Sequence, residues 1–328
     1  MTTAVAVAHP NVALAKYWGK RARPGNFPAV PSLSVTLDGM TTRTRVTFDA
    51  ALAKDEMILG GTTASEGDHA RASMILDRVR RASSEKRFAR VESSNDFPTA
   101  SGLASSASGY AALALAASAA AKAELGIDVV SDLARRGSAS AARSLFGGFV
   151  ELLSGAPEGN EDDVLAAKQV APESALDVRV LACVVTESAK TSSSRDGMAK
   201  TAKESPYFSA WILAEHRFHE EMKAALLAGD LEKVGELTEK STLAMHACAI
   251  SAGVVYMRGI TLELFDVVRE LRKSGAQAWA TSDAGPHVKV LVASKDAMRS
   301  RAVLEAVPGV LRVIDSKPGG PARVVEAG

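Results

Sequence analysis

The most informative stretch of the sequence is NDFPTASGLASSASGYAALA, Asn95–Ala114. Its small residues lead from a predicted strand at 90–93 into a run rich in alanine and leucine, 105–125, whose composition predicts a buried central helix. Unpaired backbone N–H groups and the positive end of the helix dipole make such a helix start suitable for binding a phosphate. A serine-capped helix after a glycine turn would use the same residues without any ligand. The stretch contains no Walker A loop, dinucleotide fingerprint or nucleophile elbow.

The patterns on either side of this stretch predict an α+β protein. Alternating apolar residues predict strands, and apolar faces at helical spacing predict helices. In the first half we expect strands at 5–14, 32–37, 44–48, 90–93 and 149–153 and helices at 68–83, 105–125 and 130–144. In the second half we expect strands at 178–186, 276–281, 288–293 and 310–316 and helices at 207–228, 231–249, 261–274 and 295–306. The segment 154–172, rich in Gly, Pro, Glu and Asp, predicts a boundary between domains 1–172 and 173–328.

Composition excludes several classes of protein. The chain has 328 residues, 47% of them hydrophobic, which suits about two domains with ordinary cores and excludes a disordered chain or a disulfide scaffold. Its 39 Lys and Arg against 38 Asp and Glu provide no overall field for nucleic acid or an anionic membrane. Cys183 and Cys248 lack metal-type spacing and fit a reducing compartment, so we expect a cytoplasmic protein.

The N-terminal segment does not have the pattern of a signal peptide. It carries no basic region before its apolar stretch, and His9, Pro10 and Asn11 interrupt that stretch. The longest apolar run, about 110–121, is too short to cross a bilayer. We therefore expect no membrane partner.

A resemblance to a known family now becomes specific. The pattern Pro-x-x-x-Gly-Leu-x-Ser-Ser-Ala at 98–107 resembles the phosphate loop of the GHMP kinase superfamily, and its extended form resembles the diphosphomevalonate decarboxylases within it. Three further segments agree in order and spacing, so that the resemblance runs from Asn11 to about Lys289. They are NVALAKYWGKR at 11–21 with PSLSVTLDG at 31–39, RRGSASAARSLFGGFVEL at 135–152, and SDAGPH at 282–287.

The resemblance implies a fold and an activity. The fold is that of the GHMP kinases, with an N-terminal α/β domain like ribosomal protein S5 domain 2, a C-terminal ferredoxin-like α+β sandwich, and the active site in the cleft between them. The activity is the ATP- and Mg²⁺-dependent decarboxylation of (R)-5-diphosphomevalonate to isopentenyl diphosphate, by a homodimer. The loop residues implied to bind ATP, with Ser105 also on Mg²⁺, are Pro98, Ser101, Gly102, Leu103, Ala104, Ser105 and Ser106.

Two charged residues carry the implied chemistry. Asp283 follows a predicted strand and precedes Gly-Pro, so by itself it is a turn-capping residue. The resemblance makes it the catalytic carboxylate that orients the tertiary hydroxyl of the substrate and removes its proton. Arg143 alone is typical of a solvated helix surface. The resemblance makes it the clamp on the substrate carboxylate, for which a planar guanidinium is suited.

A cluster of polar and small residues is implied to bind the rest of the substrate. The segment Lys16–Arg21 alone is a surface turn, although an exposed Tyr-Trp pair is unfavourable without a partner. By resemblance it lines the pocket, with Lys20 close enough to Asp283 to keep it ionised. A second polar loop is expected at 191–198. The full set of implied substrate residues is Tyr17, Trp18, Gly19, Lys20, Arg71, Ser138, Ala139, Ser140, Ala141, Ala142, Arg143, Ser194 and Arg195.

The chain departs from the family pattern at Ala22, Pro31, 251–253 and His287. We expect these positions to ring the substrate pocket, which leaves open a relative that acts on 5-phosphomevalonate. The patterns also fit a GHMP kinase without decarboxylation, or a non-catalytic nucleotide-binding protein.

Two histidine-containing pairs do not predict a site. His216 and His219 are interpreted as a surface face of a polar helix rather than as metal ligands. His246 and Cys248 are interpreted as helix packing rather than as a nucleophile dyad.

Overall fold

The structure, a computed structural model, describes residues 1–97, 105–187 and 193–328. The described strands are β1 (Thr2–Ala8), β2 (Asn11–Ala15), β3 (Ser32–Thr36), β4 (Thr42–Asp49), β5 (Glu56–Leu59), β6 (Thr62–Thr63), β7 (Phe88–Asn95), β8 (Phe149–Leu152), β9 (Lys168–Ala171), β10 (Val178–Val184), β11 (Ala278–Ser282), β12 (Val288–Ala293), β13 (Arg312–Ser316) and β14 (Arg323–Ala327). The described α-helices are α1 (Glu66–Ala82), α2 (Ser105–Ala120), α3 (Ile127–Gly137), α4 (Ser194–Glu204), α5 (Phe208–Leu227), α6 (Leu231–Ser251), α7 (Gly259–Lys273) and α8 (Ala297–Glu305). The α+β class is confirmed.

Helix α2 is the central helix that the sequence predicts. It packs on strands β1 and β4 of a six-stranded sheet with the order β14-β1-β4-β7-β5-β6. Its alanines form much of the first core, and many of them are completely buried. Because an alanine side chain is short, the helix lies close to the sheet and to α3, which fixes where its N-terminus lies.

The predicted strand 5–14 is two strands in two different sheets. The chain leaves β1 at His9 and Pro10 and enters β2, which belongs to a second sheet with the order β2-β3-β8-β9. Pro10 has no N–H to donate to a neighbouring strand, so strand pairing is interrupted there. The ring Nδ1 of His9 lies 2.8 Å from the carbonyl oxygen of Met40. The prediction was wrong because alternation continues across this break. The break directs β2, and the lysine that follows it, toward the second half of the chain.

The second half contains the expected α+β sandwich, and its sheet is antiparallel. Its four-stranded sheet has the order β11-β12-β10-β13, and helices α6, α7 and α8 pack on it. The last strand, β14, does not join this sheet but pairs with β1 in the six-stranded sheet. The end of the chain therefore returns to the first half, which the sequence did not predict.

The predicted helix 130–144 ends early. Helix α3 stops at Gly137, Ser138 is extended with φ −151°, and Ala139–Leu145 forms a 3₁₀-helix. A Cβ at position 137 would lie 2.5 Å from Cδ1 of Tyr110, so only glycine allows α3 to approach α2 this closely. The turn presents Ser138, Ser140 and Arg143 to a cavity instead of leaving them on a continuous helix.

Other differences concern short or polar elements. Strands β5, β6, β9 and β14 and helix α4 were not predicted, because their sequences lack long apolar periodicity. Helix α4 begins at Ser194, so the polar loop expected at 191–198 is in large part a helix. No described helix is both long enough and apolar enough to cross a membrane.

Candidate active site

A cavity of about 520 Å³ lies between the two halves of the chain. The first half contributes the end of β2, the loop after it and the turn after α3. The second half contributes the start of α4, a part of α6 and the loop after β11. The predicted site residues on its walls are Tyr17, Trp18, Lys20, Arg71, Ser106, Ser138, Ala139, Ser140, Arg143, Ser194, Arg195 and Asp283.

Asp283 sits between two lysines. Nζ of Lys16 lies 2.6 Å from Oδ1 of Asp283, and Nζ of Lys289 lies 2.9 Å from Oδ2. Both lysine side chains are almost completely buried, whereas 30% of the aspartate side chain remains exposed toward the cavity. Burial alone would raise the pKa of Asp283, but the charges of Lys16 and Lys289 outweigh it and hold that pKa well below its usual range. The carboxylate is therefore ionised at every working pH.

The contact predicted between Lys20 and Asp283 is wrong. The ammonium groups next to the aspartate are those of Lys16 and Lys289, and Lys20 instead lies on the cavity wall near Arg71 and Arg195. Burial, and then the like charges of Arg195 and Arg71, lower the pKa of Lys20 to about 8. Lys16 reaches the aspartate because it directly follows β2, and the chain turns away before Lys20.

Arg143 is buried rather than solvated. Only 1% of the residue is exposed, and its Nε and Nη1 donate to Ser34 Oγ at 2.9 Å and Ser32 Oγ at 2.7 Å. Its Nη2 donates to Asn11 Oδ1 at 3.2 Å. A guanidinium has five N–H donors, so this arrangement leaves one on each terminal nitrogen. Burial lowers the pKa of Arg143 to about 10, which keeps it positively charged near neutral pH.

The aromatic segment after β2 is a wall of the cavity and not a surface turn. Trp18 is 2% exposed and packs edge-on against Tyr256 with ring centroids 5.7 Å apart. The hydroxyl of Tyr17 is buried without a hydrogen-bond partner among the described residues, and burial raises its pKa. Gly19 has φ +110°, and a Cβ there would lie 2.8 Å from Cζ of Phe208. Glycine is therefore needed for this turn, although Gly19 itself does not line the cavity.

The small residues after α3 divide into two groups. Ser138, Ala139 and Ser140 line the cavity, and the two serine hydroxyls lie 3.1 Å apart. Ala141 and Ala142 are completely buried behind the wall and do not reach it. The 3₁₀ turn explains this division, since it directs the two alanines into the core.

Ser194 and Arg195 lie in the first turn of α4. Its N-cap is Ser193, whose Oγ accepts a hydrogen bond from the backbone N–H of Asp196 at 3.1 Å. Arg195 is exposed at the cavity and Ser194 is half-buried. The positive end of the α4 dipole therefore lies beside the guanidinium of Arg195 at the cavity wall.

A second cavity, of about 510 Å³, adjoins the first at the start of α2. Ser106 and Tyr110 line both cavities, and Ser105 lines the second. Thr42, Thr44 and polar residues at the end of β7 form the opposite wall of the second cavity. The remaining residues predicted to bind ATP lie outside the described residues, and these are Pro98, Ser101, Gly102, Leu103 and Ala104.

The departures from the family pattern do not ring the cavity as predicted. Ala22, Pro31, residues 251–253 and His287 are all described, and none of them is among the residues that line it. His287 is buried, and its Nδ1 accepts a hydrogen bond from the backbone N–H of Val185 at 3.1 Å.

The histidines outside the cavity are mostly buried. His219 is completely buried, with Nε2 3.4 Å from Oε2 of Glu151, so its interpretation as a surface residue was wrong. His246 and Cys248 are buried in α6, which confirms the packing interpretation. Cys183 is buried as well.

Sequence reasoning missed the residues that support the two charged centres. These are Asn11, Lys16, Ser32, Ser34 and Lys289. The available signal was the presence of polar residues inside strands that are otherwise apolar, since buried polar groups need partners.

This two-domain fold and its cavity define the class of the protein, which is that of the GHMP kinase fold. The model of the diphosphomevalonate decarboxylase-like N-terminal domain matches residues 8–165, and that of the mevalonate 5-diphosphate decarboxylase C-terminal domain matches residues 180–317. The chain belongs to the diphosphomevalonate decarboxylase family.

Individual relatives agree with this assignment. The chain is 34% identical to the diphosphomevalonate decarboxylase of Candida albicans over 88% of this chain and 84% of that protein. It is 33% identical to the phosphomevalonate decarboxylase of Haloferax volcanii over 88% of this chain and 87% of that one. A solved complex of MDDEF with MVAPP, AMPPCP and magnesium superimposes with a TM-score of 0.90 at 34% identity, over 99% of each chain.

Proposed function

We propose that this chain catalyses the ATP- and Mg²⁺-dependent decarboxylation of (R)-5-diphosphomevalonate to isopentenyl diphosphate, ADP, phosphate and CO₂. The observation that carries the proposal is that one cavity holds an ionised aspartate, a buried arginine and a group of cations. Asp283, Arg143 and Lys20 line the same space, next to the start of α2. A kinase without decarboxylation needs only the aspartate, whereas a decarboxylase needs the aspartate and the arginine together.

Asp283 acts on the tertiary hydroxyl. Each carboxylate oxygen already contacts one ammonium group and still has a lone pair for the hydroxyl proton. Its low pKa makes it a weak base, so it orients the hydroxyl first and takes the proton only as the new P–O bond forms. ATP would supply that phosphorus: as the bond to the substrate oxygen forms, the bond from the γ-phosphorus to ADP breaks, and Mg²⁺ would neutralise the charge of the phosphates.

Arg143 acts on the substrate carboxylate. Three of its five N–H groups are already bonded to Ser34, Ser32 and Asn11, and one remains on each terminal nitrogen. These two N–H groups match the two oxygens of a carboxylate. When the phosphorylated oxygen leaves C3 as phosphate, positive charge develops there, and the electrons of the C1–C2 bond form the C2–C3 double bond. C1 leaves as CO₂, so atoms and charge balance.

Three cations receive the phosphate end of the substrate. Lys20, Arg71 and Arg195 line one cavity, and the lowered pKa of Lys20 reflects their mutual repulsion in addition to burial. An anion between them relieves that repulsion, and a diphosphate relieves it more than a monophosphate. The remaining wall residues would add hydroxyl donors and apolar contacts, and these are Ser138, Ser140, Ser194, Tyr17 and Trp18.

ATP would occupy the second cavity. Ser105 and Ser106, together with the loop before them, would hold its phosphates at the positive end of α2, and the hydroxyl of Ser105 would contact Mg²⁺. Because Ser106 and Tyr110 border both cavities, phosphates at this helix start would face the substrate cavity.

We also propose that the enzyme is a cytoplasmic homodimer with domains 1–172 and 173–328. The limits of the two family models, 165 and 180, support the domain boundary, and the free buried cysteines support the compartment. The dimer is proposed from the family resemblance alone. Sedimentation of the purified chain tests the dimer, which predicts a mass of twice the 34.2 kDa chain.

The experiment that tests the substrate compares kcat/KM for mevalonate 5-diphosphate and mevalonate 5-phosphate, each with ATP and Mg²⁺. We expect the 5-diphosphate to be preferred by on the order of 10-fold or more, because it engages more of the cation group. Preference for the 5-phosphate would instead assign the activity named for the Haloferax volcanii relative.

A further inference from the structure

A buried polar chain lies behind Lys16, on the side away from the cavity. The backbone N–H of Lys16 donates to Oγ of Ser241 at 2.9 Å, and this hydroxyl donates to Oε2 of Glu215 at 2.8 Å. Ser241 belongs to α6 and Glu215 to α5, and both residues are completely buried. The first residue after β2 is thus tied to two helices of the second half.

Glu215 serves this chain as a hydrogen-bond acceptor rather than as an ion. Its other oxygen, Oε1, has no hydrogen-bond partner among the described residues. An ionised carboxylate left in this position would be unfavourable, and burial raises the pKa of Glu215 well above its usual value although the charge of Lys16 opposes the change. A neutral acid still accepts the proton of Ser241, and that orients the hydroxyl's lone pairs toward Lys16.

This hydrogen-bond chain matters because the other contacts of Lys16 leave its side chain little room to move. Its ammonium group lies 2.9 Å from the carbonyl oxygen of Ala13 and 2.6 Å from Asp283, so its position sets one side of the aspartate. The backbone N–H of Lys16 finds its acceptor in a helix side chain and not in the sheet. Without Ser241 this buried donor would lose its acceptor at 2.9 Å, and the main chain would shift toward another acceptor.

We propose that Glu215 and Ser241 are positioning residues for the reaction: they fix the main chain of Lys16 and thereby hold Asp283 against the substrate hydroxyl. Neither residue touches the cavity. The inference rests on the proposed function. It adds that the geometry of the catalytic aspartate is set by a hydrogen-bond chain that crosses from α5 through α6 to the end of β2.

The test uses three substitutions along this chain and one matched control. Ser241→Ala removes the acceptor of the Lys16 N–H, Glu215→Leu removes the acceptor of Ser241, and Glu215→Gln keeps a carbonyl oxygen but cannot ionise. The control is Thr238→Val, because Thr238 is an equally buried hydroxyl on the same helix that donates only to its own helix, to the Val234 oxygen at 2.8 Å.

For Ser241→Ala and Glu215→Leu we expect kcat to fall about 10- to 100-fold, as for a displacement near 1 Å at the reacting groups, with the KM for ATP unchanged. The kcat profile should also gain an acid limb that the parent does not show, because the parent's Asp283 stays ionised. Asp283 is surrounded by Lys16, Lys289, Arg143 and His246, and moving the first of these away weakens the charge that keeps it ionised. Circular dichroism over the same pH range separates this limb from acid unfolding, which a less stable variant would undergo at higher pH.

Glu215→Gln should retain a kcat within a few-fold of the parent's. Thr238→Val should have the parent's kcat. Parental kcat without a new acid limb in Ser241→Ala and Glu215→Leu would overturn the inference, as would an equal loss in Thr238→Val. If Ser241→Ala does not fold, as judged by circular dichroism, the contrast between Glu215→Leu and Glu215→Gln decides. A parent chain that releases no CO₂ would overturn the proposed function itself, which distinguishes the two failures.

Discussion

Lys16 and Asp283 are 267 positions apart in the chain, and 2.6 Å separates the ammonium nitrogen of one from a carboxylate oxygen of the other. Lys16 directly follows β2 in the first half, and Asp283 follows β11 in the second. The ion pair therefore forms only when both halves are folded and joined, because neither half alone contains both partners. The proposed chemistry depends on this pair more than on any other contact.

Removing the carboxylate should abolish turnover while the ligands still bind. For Asp283→Ala we expect kcat to fall on the order of 10³-fold or more, because the hydroxyl loses both its orientation and its proton acceptor. The measurement is steady-state release of ADP, with substrate affinity determined by calorimetry. Asp266→Asn is the control, since Asp266 also forms an ion pair, 2.8 Å from Arg269, but lies outside the cavity. Near-parental product formation by Asp283→Ala would remove it from the mechanism.

Changing the guanidinium should impair both binding and decarboxylation. Arg143→Gln loses a charged fork, so we expect the KM for the phosphorylated mevalonate to rise about 10- to 100-fold and CO₂ release to slow. Arg143→Lys should be nearly as impaired, because one ammonium cannot replace hydrogen bonds to Ser32, Ser34 and Asn11.

The control for Arg143 is Arg179→Gln, which breaks a single ion pair with Asp315 outside the cavity and should leave both constants unchanged. An unchanged KM in Arg143→Gln contradicts the assignment.

Lys20 should give substrate binding a pH dependence on the alkaline side. The free enzyme's Lys20 has a pKa of about 8, so it is positively charged below that pH and loses its charge as the pH rises through it. The KM for the substrate should therefore increase above about pH 8, and kcat/KM should fall. Lys20→Arg, whose side chain stays charged, should remove this limb. A limb that persists in Lys20→Arg belongs to another group.

Arg195 should set the position of that limb. Its like charge is, after burial, the largest cause of the lowered pKa of Lys20. Arg195→Gln removes this repulsion, so the alkaline limb of kcat/KM should move to higher pH even as the substrate binds more weakly. Lys200→Gln on the exposed face of the same helix is the control and should leave the limb in place. The same limb in Arg195→Gln and in the parent would show that the two cations do not interact.

Asp132 should stabilise the loops behind the cavity wall. It is buried, and Oδ1 and Oδ2 pair with Arg135 and Arg136, which in turn bind the backbone of neighbouring loops. Asp132→Asn leaves two buried arginines without their carboxylate, so we expect a loss of about 3–5 kcal/mol in the free energy of unfolding by urea. Asp162→Asn, which breaks an exposed ion pair with Arg78, should change it far less. Equal stability of both variants would contradict this role.

The sequence predicted the parts of the fold that depend on local pattern. The helix α2 follows from its alanine-rich composition, and the helices α5 to α7 and the sandwich strands follow from periodicity. The roles proposed for Arg143 and Asp283 came from the family resemblance, since local pattern alone favoured a surface arginine and a turn-capping aspartate. What the sequence could not predict depends on tertiary contacts. The break at Pro10, the turn at Gly137 against Tyr110 and the return of β14 to β1 are all set by distant neighbours.

The error at Lys20 has the same physical origin. Two lysines four positions apart, Lys16 and Lys20, follow the same strand, and only the path of the chain decides which reaches Asp283. Lys289 is the one polar residue of β12, which signals that it needs a buried partner but not that the partner is Asp283. Ser241 and Glu215 lie on helices whose faces mix polar and apolar residues, so their burial was not apparent from the pattern.

Phosphoryl transfer and decarboxylation are both proposed to occur at the cavity lined by Asp283 and Arg143. The most direct test therefore measures ADP and CO₂ together. It follows ADP and CO₂ from mevalonate 5-diphosphate labelled at C1, with ATP and Mg²⁺, under conditions of a single turnover. We expect ADP and CO₂ to form in equal amounts, with isopentenyl diphosphate as the product. ADP without CO₂ would reduce the protein to a kinase, and the absence of ADP would contradict the proposed mechanism entirely.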